Sequence, residues 1–277
     1  MKQKDVITQW SESAPYWEKH RATVRQMFGP VSEALIEDAR IGAGQTVLDV
    51  AMGPGEPALT IADVVGNTGK VVGTDFVAEM VQAARGEAQR RGLKNTSFET
   101  ASGEELPFAD NTFDAAVSRF GVMFFPSPMA GVREILRVLK PGGRLAMAVW
   151  HFAERNPFFT VVTNVVDRYI PSPPPEPDAP DAFRFAKPGE LLGIFASAGM
   201  KTTSERLLKF RIRANASPGD FWTMRSELSE KMRSKLAELS DAKLAELRQE
   251  AVLGISAYSS NEGISFPSEV LIVSGEK

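Results

Sequence analysis

The sequence predicts an α/β fold in which helices cover both faces of a mostly parallel sheet. Between Thr46 and Trp150, short runs typical of strands alternate with stretches that place apolar residues at helical spacing. The last of these strands, residues 144–150 (RLAMAVW), is apolar throughout, which is typical of a strand buried on both faces. Alternation of this kind indicates βαβ units and a parallel sheet.

The elements of this first part follow in a regular order. The strands are predicted at residues 46–51, 70–75, 96–101, 113–120 and 144–150. The helices between them are predicted at residues 57–66, ended by Gly66, and on the apolar faces Val77–Met80–Val81–Ala84 and Val132–Ile135–Leu136–Leu139. We expect Pro141-Gly142-Gly143 to stop the last of these helices.

The sequence after Trp150 predicts a helical insertion between two further strands. A helix at 187–200 that ends at Gly199 and a strand at 201–214 precede it, and a final strand follows at 264–277. Residues 221–255 read as a helical pair whose second helix begins at Ser240-Asp241, which would form a cap beside the sheet. The apolar stripe of this helical pair is compatible either with packing inside the fold or with a groove that binds a substrate. The proline-rich loop 171–183 fits a surface connection or a flap over a site.

Composition excludes several classes of chemistry. The chain has no cysteine and two histidines, His20 and His151. Disulfides, thiolate nucleophiles and cysteine-ligated or multi-histidine metal sites are therefore impossible, and we expect no metal. The formal net charge of −3, with basic residues scattered among acids, predicts no nucleic-acid partner.

The sequence also predicts a soluble, cytoplasmic protein. The N-terminal residues MKQKDVITQW lack the apolar core of a signal peptide. No apolar run approaches the ~20 residues that a bilayer-spanning helix needs. We expect no stable membrane insertion, and the oligomeric state is left open.

A glycine loop follows the first strand. Residues 53–58 (GPGEPA) fit the pattern G-x-G-x-x-G/A between a predicted strand and a predicted helix, the context that this pattern requires. Asp75 ends the next strand, where an acid can accept hydrogen bonds from ribose hydroxyls. Glycines let backbone N–H groups approach a ligand closely. The alternative is a glycine turn without a ligand, with Asp75 as a helix cap.

Dinucleotides and S-adenosyl-L-methionine (SAM) both bind to loops of this kind, and Asp49 helps to separate them. It lies on the strand that leads into the loop, and a buried carboxylate is costly unless it is hydrogen-bonded. We expect it to organise the loop or to meet a cationic amine. SAM carries such an amine, whereas a pyrophosphate would repel the acid.

Four segments together resemble the class I SAM-dependent methyltransferases, in particular the branch of the ubiquinone/menaquinone-biosynthesis methyltransferases. They are VLDVAMGPG, VVGTDFVAEM, GEELPFADNTFDAAVSRFG and EILRVLKPGGRL. The resemblance covers residues 10–150 well and implies a Rossmann-like sandwich with a seven-stranded sheet. It implies one domain, residues 1–277: a helical lid (1–40), a core (41–215), a helical cap (216–260) and a final strand (261–277).

The resemblance also implies a set of cofactor-binding residues. Gly53, Pro54 and Gly55 would approach the methionine part of SAM, and Asp75 would hold the ribose. Phe76 and Met80 would pack on the adenine, where Ser102, followed by Gly103, replaces the acid that the family commonly has. Arg119 and Phe120 would line the space near the sulfonium, and Trp17 would fold over the cofactor. For Trp17, packing of a helix on the sheet edge is the alternative.

His151 is the predicted general base. It follows strand 144–150 directly, at the carboxyl edge where ligands of such sheets bind, and a neutral imidazole can take a phenolic proton. The alternative is a loop-bonding or surface histidine, and His20 is interpreted as a solvated helix residue. Phe124, Phe125 and the aromatic pair of NPFF fit either an acceptor pocket or core packing.

The sequence thus predicts methyl transfer from SAM, leaving S-adenosyl-L-homocysteine, to a small apolar acceptor that is aromatic or quinone-like. Two alternatives stay open. One is an NAD(P)-dependent oxidoreductase, which Asp49 and the lack of an evident catalytic Tyr/Lys or Cys/His set disfavour. The other is a SAM-binding protein without catalytic activity.

Overall fold

The computed structural model describes residues 3–172 and 178–277, with the backbone alone for residues 3–6. Its described part contains one sheet. The strands are β1 (Thr46–Val50), β2 (Lys70–Asp75), β3 (Thr96–Thr100), β4 (Phe113–Arg119), β5 (Leu139–Trp150), β6 (Lys201–Ala214), β7 (Ser259–Ser260) and β8 (Gly263–Glu276).

The sheet is mostly parallel, as the sequence predicts. Its order is β3-β2-β1-β4-β5-β8-β6, with the two-residue β7 paired to β8, so it has eight strands where seven were expected. Strands β1 to β5 run parallel, whereas β8 lies antiparallel between β5 and β6. β1 is therefore the middle one of the five parallel strands, and its Asp49 is in register with Gly73 of β2 and Val117 of β4.

Ten α-helices are described around this sheet. They are α1 (Gln3–Lys19), α2 (Arg21–Asp38), α3 (Ala58–Val65), α4 (Ala78–Arg90), α5 (Pro128–Val138), α6 (Pro157–Tyr169), α7 (Glu190–Ser197), α8 (Pro218–Leu228), α9 (Glu230–Ala237) and α10 (Asp241–Ser256). β1, β4 and the second half of β5 are buried along almost their whole lengths. Because side chains of a strand alternate between faces, helices must cover both sides.

Three details differ from the expectation. α5 ends at Val138 and Leu139 already belongs to β5, because the residues before Pro141 favour extended backbone. α6 was not expected, although Pro157 occupies its first turn and Val162, Val165 and Val166 lie on its buried side. The cap has three helices rather than two, since Ser229 starts α9 by accepting a hydrogen bond from the Met232 N–H.

The cap, defined here as α8–α10, is joined to α1 and α2 by polar contacts. Glu227 of α8 pairs with Lys19 Nζ at 2.7 Å and with His20 Nε2 at 2.5 Å. Arg233 of α9 donates to Ser13 Oγ at 3.2 Å and lies over the Tyr16 ring, 4.7 Å from its centroid. The expectation that His20 is merely solvated is wrong, because its imidazole connects two parts of the fold.

Two further points concern segments away from the sheet. Of the proline-rich loop 171–183, residues 173–177 lie outside the described residues, and residues 178–183 have no helix or strand. Within the described ranges, none of the helices combines the length and the apolar character needed to cross a lipid bilayer.

Candidate functional site

Asp49 lies on the central strand, directly before the glycine loop. Its Oδ2 accepts a hydrogen bond of 2.8 Å from the N–H of Ala58, the first residue of α3. Its Oδ1 is buried and has no hydrogen-bond partner among the residues that the structure describes. Burial raises the pKa of Asp49 to about 8, against the opposing effects of the Arg119 charge and the Ala58 N–H. The carboxyl group thus organises the loop and leaves one oxygen available.

The two glycines of the loop have different reasons to be glycine. Gly55 has φ +115°, and a Cβ there would lie 2.7 Å from Leu59 Cδ1. The turn can therefore pack against Leu59 only when this residue has no side chain. Gly53 has φ +57°, and a Cβ there would have no atom within 4 Å. Its backbone, with Pro54 beside it, therefore borders open space in which a ligand can lie against the chain.

Asp75 connects the end of β2 to this loop. Its Oδ2 accepts from the Gly53 N–H at 2.9 Å and its Oδ1 from the Val77 N–H at 3.0 Å. Burial raises the pKa of Asp75 to about 6, although these backbone donors favour the ionised form. A carboxylate has about four acceptor positions, so two engaged N–H groups leave capacity for hydroxyl donors.

An apolar layer lies over the neighbouring helix α4. Trp17 of α1 packs with the small cluster formed by Ala14, Val77 and Met80, and Phe76 packs against the same cluster. The Trp17 indole Nε1 is buried and finds no hydrogen-bond partner within residues 3–172 and 178–277. α1 therefore covers the residues expected to contact adenine, and it leaves one donor unused there.

Ser102 and Gly103 follow the turn after β3. Ser102 Oγ accepts a hydrogen bond of 3.2 Å from the Glu104 N–H. A Cβ at Gly103 would lie 2.5 Å from Phe125 Cζ, so this glycine is explained by close packing. Ser102 is half-buried, and its hydroxyl hydrogen is free to donate.

Arg119 and Phe120 end β4 at the same edge of the sheet. Arg119 donates to Ser32 Oγ at 2.8 Å and to the Glu56 carbonyl oxygen at 3.1 Å, which ties the loop to α2. Phe120 has φ +63°, a backbone conformation that costs energy outside glycine. Its ring stacks on Trp150 with centroids 4.2 Å apart and planes 6° from parallel.

His151 follows Trp150 and is held on two sides. Its Nδ1 lies 2.8 Å from the Ala186 carbonyl oxygen, so Nδ1 carries the proton and donates. Its Nε2 lies 3.9 Å from Glu269 Oε2. The buried Asn156 holds both residues in place, donating to the His151 and Glu269 carbonyls and accepting from the Glu269 N–H. His151 therefore bonds to a loop through Nδ1, as the alternative interpretation expects, and its Nε2 is still available for a role in proton removal.

The structure brings the predicted residues to one edge. Asp49, Gly53 and Asp75 are joined by direct hydrogen bonds or by the same loop, and Arg119 and His151 stand at the ends of β4 and β5. Ligands of open α/β sheets bind at the carboxyl ends of the strands. An unpaired oxygen of Asp49, half-buried backbone at Gly53 beside open space and spare acceptor capacity at Asp75 fit SAM, whose amine is cationic.

Sequence reasoning missed two residues of this region, Glu269 and Arg225. Glu269 faces His151 from β8, across the antiparallel junction with β5. Arg225 of α8 lies 4.4 Å from the Phe158 ring centroid and 5.0 Å from that of Phe159. The aromatic residues of NPFF were noted, but no signal in the chain links them to an arginine 66 positions beyond Phe159.

Comparisons with known proteins identify the fold and its cofactor. Residues 33–161 match the model of the ubiE/COQ5 methyltransferase family, slightly under half of the chain. The ubiquinone/menaquinone biosynthesis C-methyltransferase UbiE of Bdellovibrio bacteriovorus is 39% identical over 137 residues, which are 49% of this chain and 57% of that protein. This chain spans less than two thirds of the length of the curated relatives that it matches.

Two solved structures share the fold. The YcgJ protein from Bacillus subtilis superposes with a TM-score of 0.58 at 23% identity, covering 89% of this chain and 97% of that one. A SAM-dependent methyltransferase from Aquifex aeolicus gives a TM-score of 0.50 at 26% identity, covering 66% and 85%. The fold is that of the class I methyltransferases and the cofactor is SAM. No support for the oxidoreductase alternative comes from these proteins.

Proposed function

We propose that the protein, whose residues 33–161 match the model of the ubiE/COQ5 methyltransferase family, transfers a methyl group from SAM to a small apolar acceptor, aromatic or quinone-like. The observation that carries this proposal is the Oδ1 atom of Asp49, which is buried at the glycine loop without a partner. A buried acid in this state is costly unless a ligand satisfies it. A cationic amine at this position would do so.

The remaining cofactor contacts are assigned by position. Asp75 would accept hydrogen bonds from the ribose hydroxyls, and the Gly53–Gly55 backbone would lie along the methionine part. Phe76 and Met80 would pack on the adenine beneath α1, with Trp17 closing that side and Ser102 near the adenine amino group. In this assignment α1 and α2 form the lid, which excludes water from the site.

SAM, when bound, supplies an electrophilic methyl group, which is transferred by in-line displacement of the thioether. The protein therefore mainly has to position the acceptor. The stacked rings of Phe120 and Trp150 lie just past the ends of β4 and β5. Trp150 lies in the core, so Phe120, which is only partly buried, would present the flat apolar face beside the loop, suited to an aromatic acceptor. Arg119 holds the loop in place through its bond to the Glu56 carbonyl.

His151 is assigned to proton removal. Because Nδ1–H is committed to the Ala186 carbonyl, Nε2 presents a lone pair. An acceptor hydroxyl would lose its proton to Nε2 as its oxygen, or a conjugated carbon, bonds to the methyl group and the carbon–sulfur bond breaks. Glu269 would then stabilise the imidazolium, a general-base contribution of about 10²–10⁴ in rate.

Calorimetry tests the proposed function. We expect SAM and S-adenosyl-L-homocysteine to bind to the protein and NADH not to bind. Binding of NADH without binding of SAM would overturn the proposal. Release of S-adenosyl-L-homocysteine in the presence of phenolic and quinol acceptors then separates an enzyme from a protein that only binds SAM.

A further inference from the structure

Arg225 is a buried cation without a counter-charge. It lies on α8 and only 7% of its surface is exposed. Its Nε is enclosed and has no hydrogen-bond partner. Within the residues that the structure describes, the guanidinium forms no hydrogen bond and no ion pair, and it lies over the rings of Phe158 and Phe159.

This arrangement is costly for the folded protein. Removing a charge from water is unfavourable, and a cation–π contact offsets only part of that desolvation cost. Burial alone lowers the pKa of Arg225 to about 10, which reflects the missing counter-charge. Arginine elsewhere in the same region has partners: Arg233, one helix away, bonds to Ser13. Packing alone does not explain a guanidinium at position 225.

Arg225 is connected to the transfer site by aromatic rings. Phe159 contacts Trp150 at 4.9 Å between centroids, and Trp150 stacks on Phe120 at 4.2 Å. Phe159 also contacts Phe183, whose loop precedes α7. A continuous chain of ring contacts thus runs from the edge of the sheet, through the buried Trp150, to the guanidinium on α8.

We propose that Arg225 recognises an anionic oxygen group on the methyl acceptor, which is therefore a flat apolar molecule carrying a carboxylate or an ionised hydroxyl. The inference rests on the proposed methyltransferase function and names the acceptor class. The partly exposed ring of Phe159 contacts the apolar body of the acceptor, while its charged oxygen completes the coordination of the guanidinium. A guanidinium presents several N–H donors in a planar fork that matches such oxygens.

The test compares two probes of nearly equal shape, 2-naphthoate and its neutral amide 2-naphthamide. Each is titrated by calorimetry into the full-length protein saturated with S-adenosyl-L-homocysteine. A charge-assisted hydrogen bond contributes about 1.5–3 kcal/mol, so we expect the wild type to prefer naphthoate by roughly 10- to 100-fold. Arg225→Met should reduce this preference to less than about 2-fold and leave the naphthamide affinity unchanged.

Arg248→Met is the matched control. Arg248 is an exposed arginine of α10, and its replacement should leave the preference for naphthoate intact. Thermal unfolding provides a second readout: Arg225→Met should melt no lower than the wild type, because an unpaired buried charge is removed. A clear loss of melting temperature would identify a structural arginine and overturn the proposal.

The outcomes separate this inference from the function on which it rests. Equal affinity for the two probes, or binding of neither, in a protein that binds S-adenosyl-L-homocysteine would refute the anion site alone. A protein that does not bind S-adenosyl-L-homocysteine would refute the methyltransferase function itself.

Discussion

The N–H of Gly53 donates a hydrogen bond of 2.9 Å to Oδ2 of Asp75, which joins the loop after β1 to the end of β2. One carboxylate thus fixes the backbone that a cofactor would touch and also faces the expected ribose.

Asp75→Asn should weaken SAM binding by about 10- to 100-fold, since charge-assisted hydrogen bonds of ~1.5–3 kcal/mol each are lost or weakened. Calorimetry with SAM measures the change. Asp63→Asn is the control, because Asp63 is an exposed helix acid that pairs with Arg91. If both variants bind SAM like the wild type, the ribose assignment is misplaced.

Asp49→Asn should alter how stability depends on pH. The pKa of Asp49 is raised to about 8 in the folded protein from an ordinary value of 3.8. Its contribution to the free energy of unfolding is therefore complete below pH 4 and is lost as the pH rises through 8. Asparagine does not titrate. The free energy of unfolding of the variant, relative to that of the wild type, should therefore rise by roughly 2 kcal/mol between pH 6 and pH 8.

Urea unfolding at pH 6, 7 and 8 measures that difference. The interval avoids most of the titration of Asp75, whose pKa is raised to about 6 and whose effect has the same sign. Parallel stability curves for Asp49→Asn and the wild type would show that the Asp49 carboxyl is not held in its neutral form.

Gly53→Ala should mainly lower SAM affinity, whereas Gly55→Ala should mainly lower stability. A methyl group at Gly55 meets Leu59 at 2.7 Å with φ at +115°, so we expect a loss of about 2–4 kcal/mol in stability. A methyl group at Gly53 enters open space, so stability should fall by only about 1 kcal/mol, while SAM affinity falls more than 10-fold. Equal losses of SAM affinity at equal stability would contradict this division.

His151→Gln should lower kcat by about 10²–10⁴ with a hydroxylated acceptor and leave SAM affinity within 2-fold. Glu269→Gln should lower kcat less, because it removes only the charge that faces Nε2. The pH profile of kcat in the two variants measures both effects. If His151→Gln keeps the wild-type kcat and pH profile, positioning alone drives the transfer.

The alternation of strands and helices could be predicted because each element carries its own pattern. The strands at 46–50 and 70–75 and the helix after Gly53-Pro54-Gly55 are defined by residues within a few positions of one another. The same holds for the acid at the end of β2. Local spacing thus predicted the fold and the residues that the structure brings together at the glycine loop.

The missed contacts depend on residues that are distant in the chain. His151 meets Glu269 because β8 returns antiparallel to β5, and Arg225 meets Phe158 because the cap folds back over α6. No local period encodes either contact. The break at Ser229 was missed for another reason: the apolar spacing of α8 continues into α9, and the cap serine interrupts the hydrogen bonds without interrupting the pattern.

Glu227 bonds to both Lys19 and His20, and this contact has a kinetic consequence. α1 covers the expected adenine side through Trp17, and its C-terminal end is fastened to α8, the helix that carries Arg225. Movement of α1 that admits the donor would therefore disturb the helix that receives the acceptor. The two substrates should enter in a compulsory order, donor first, with the spent donor leaving last.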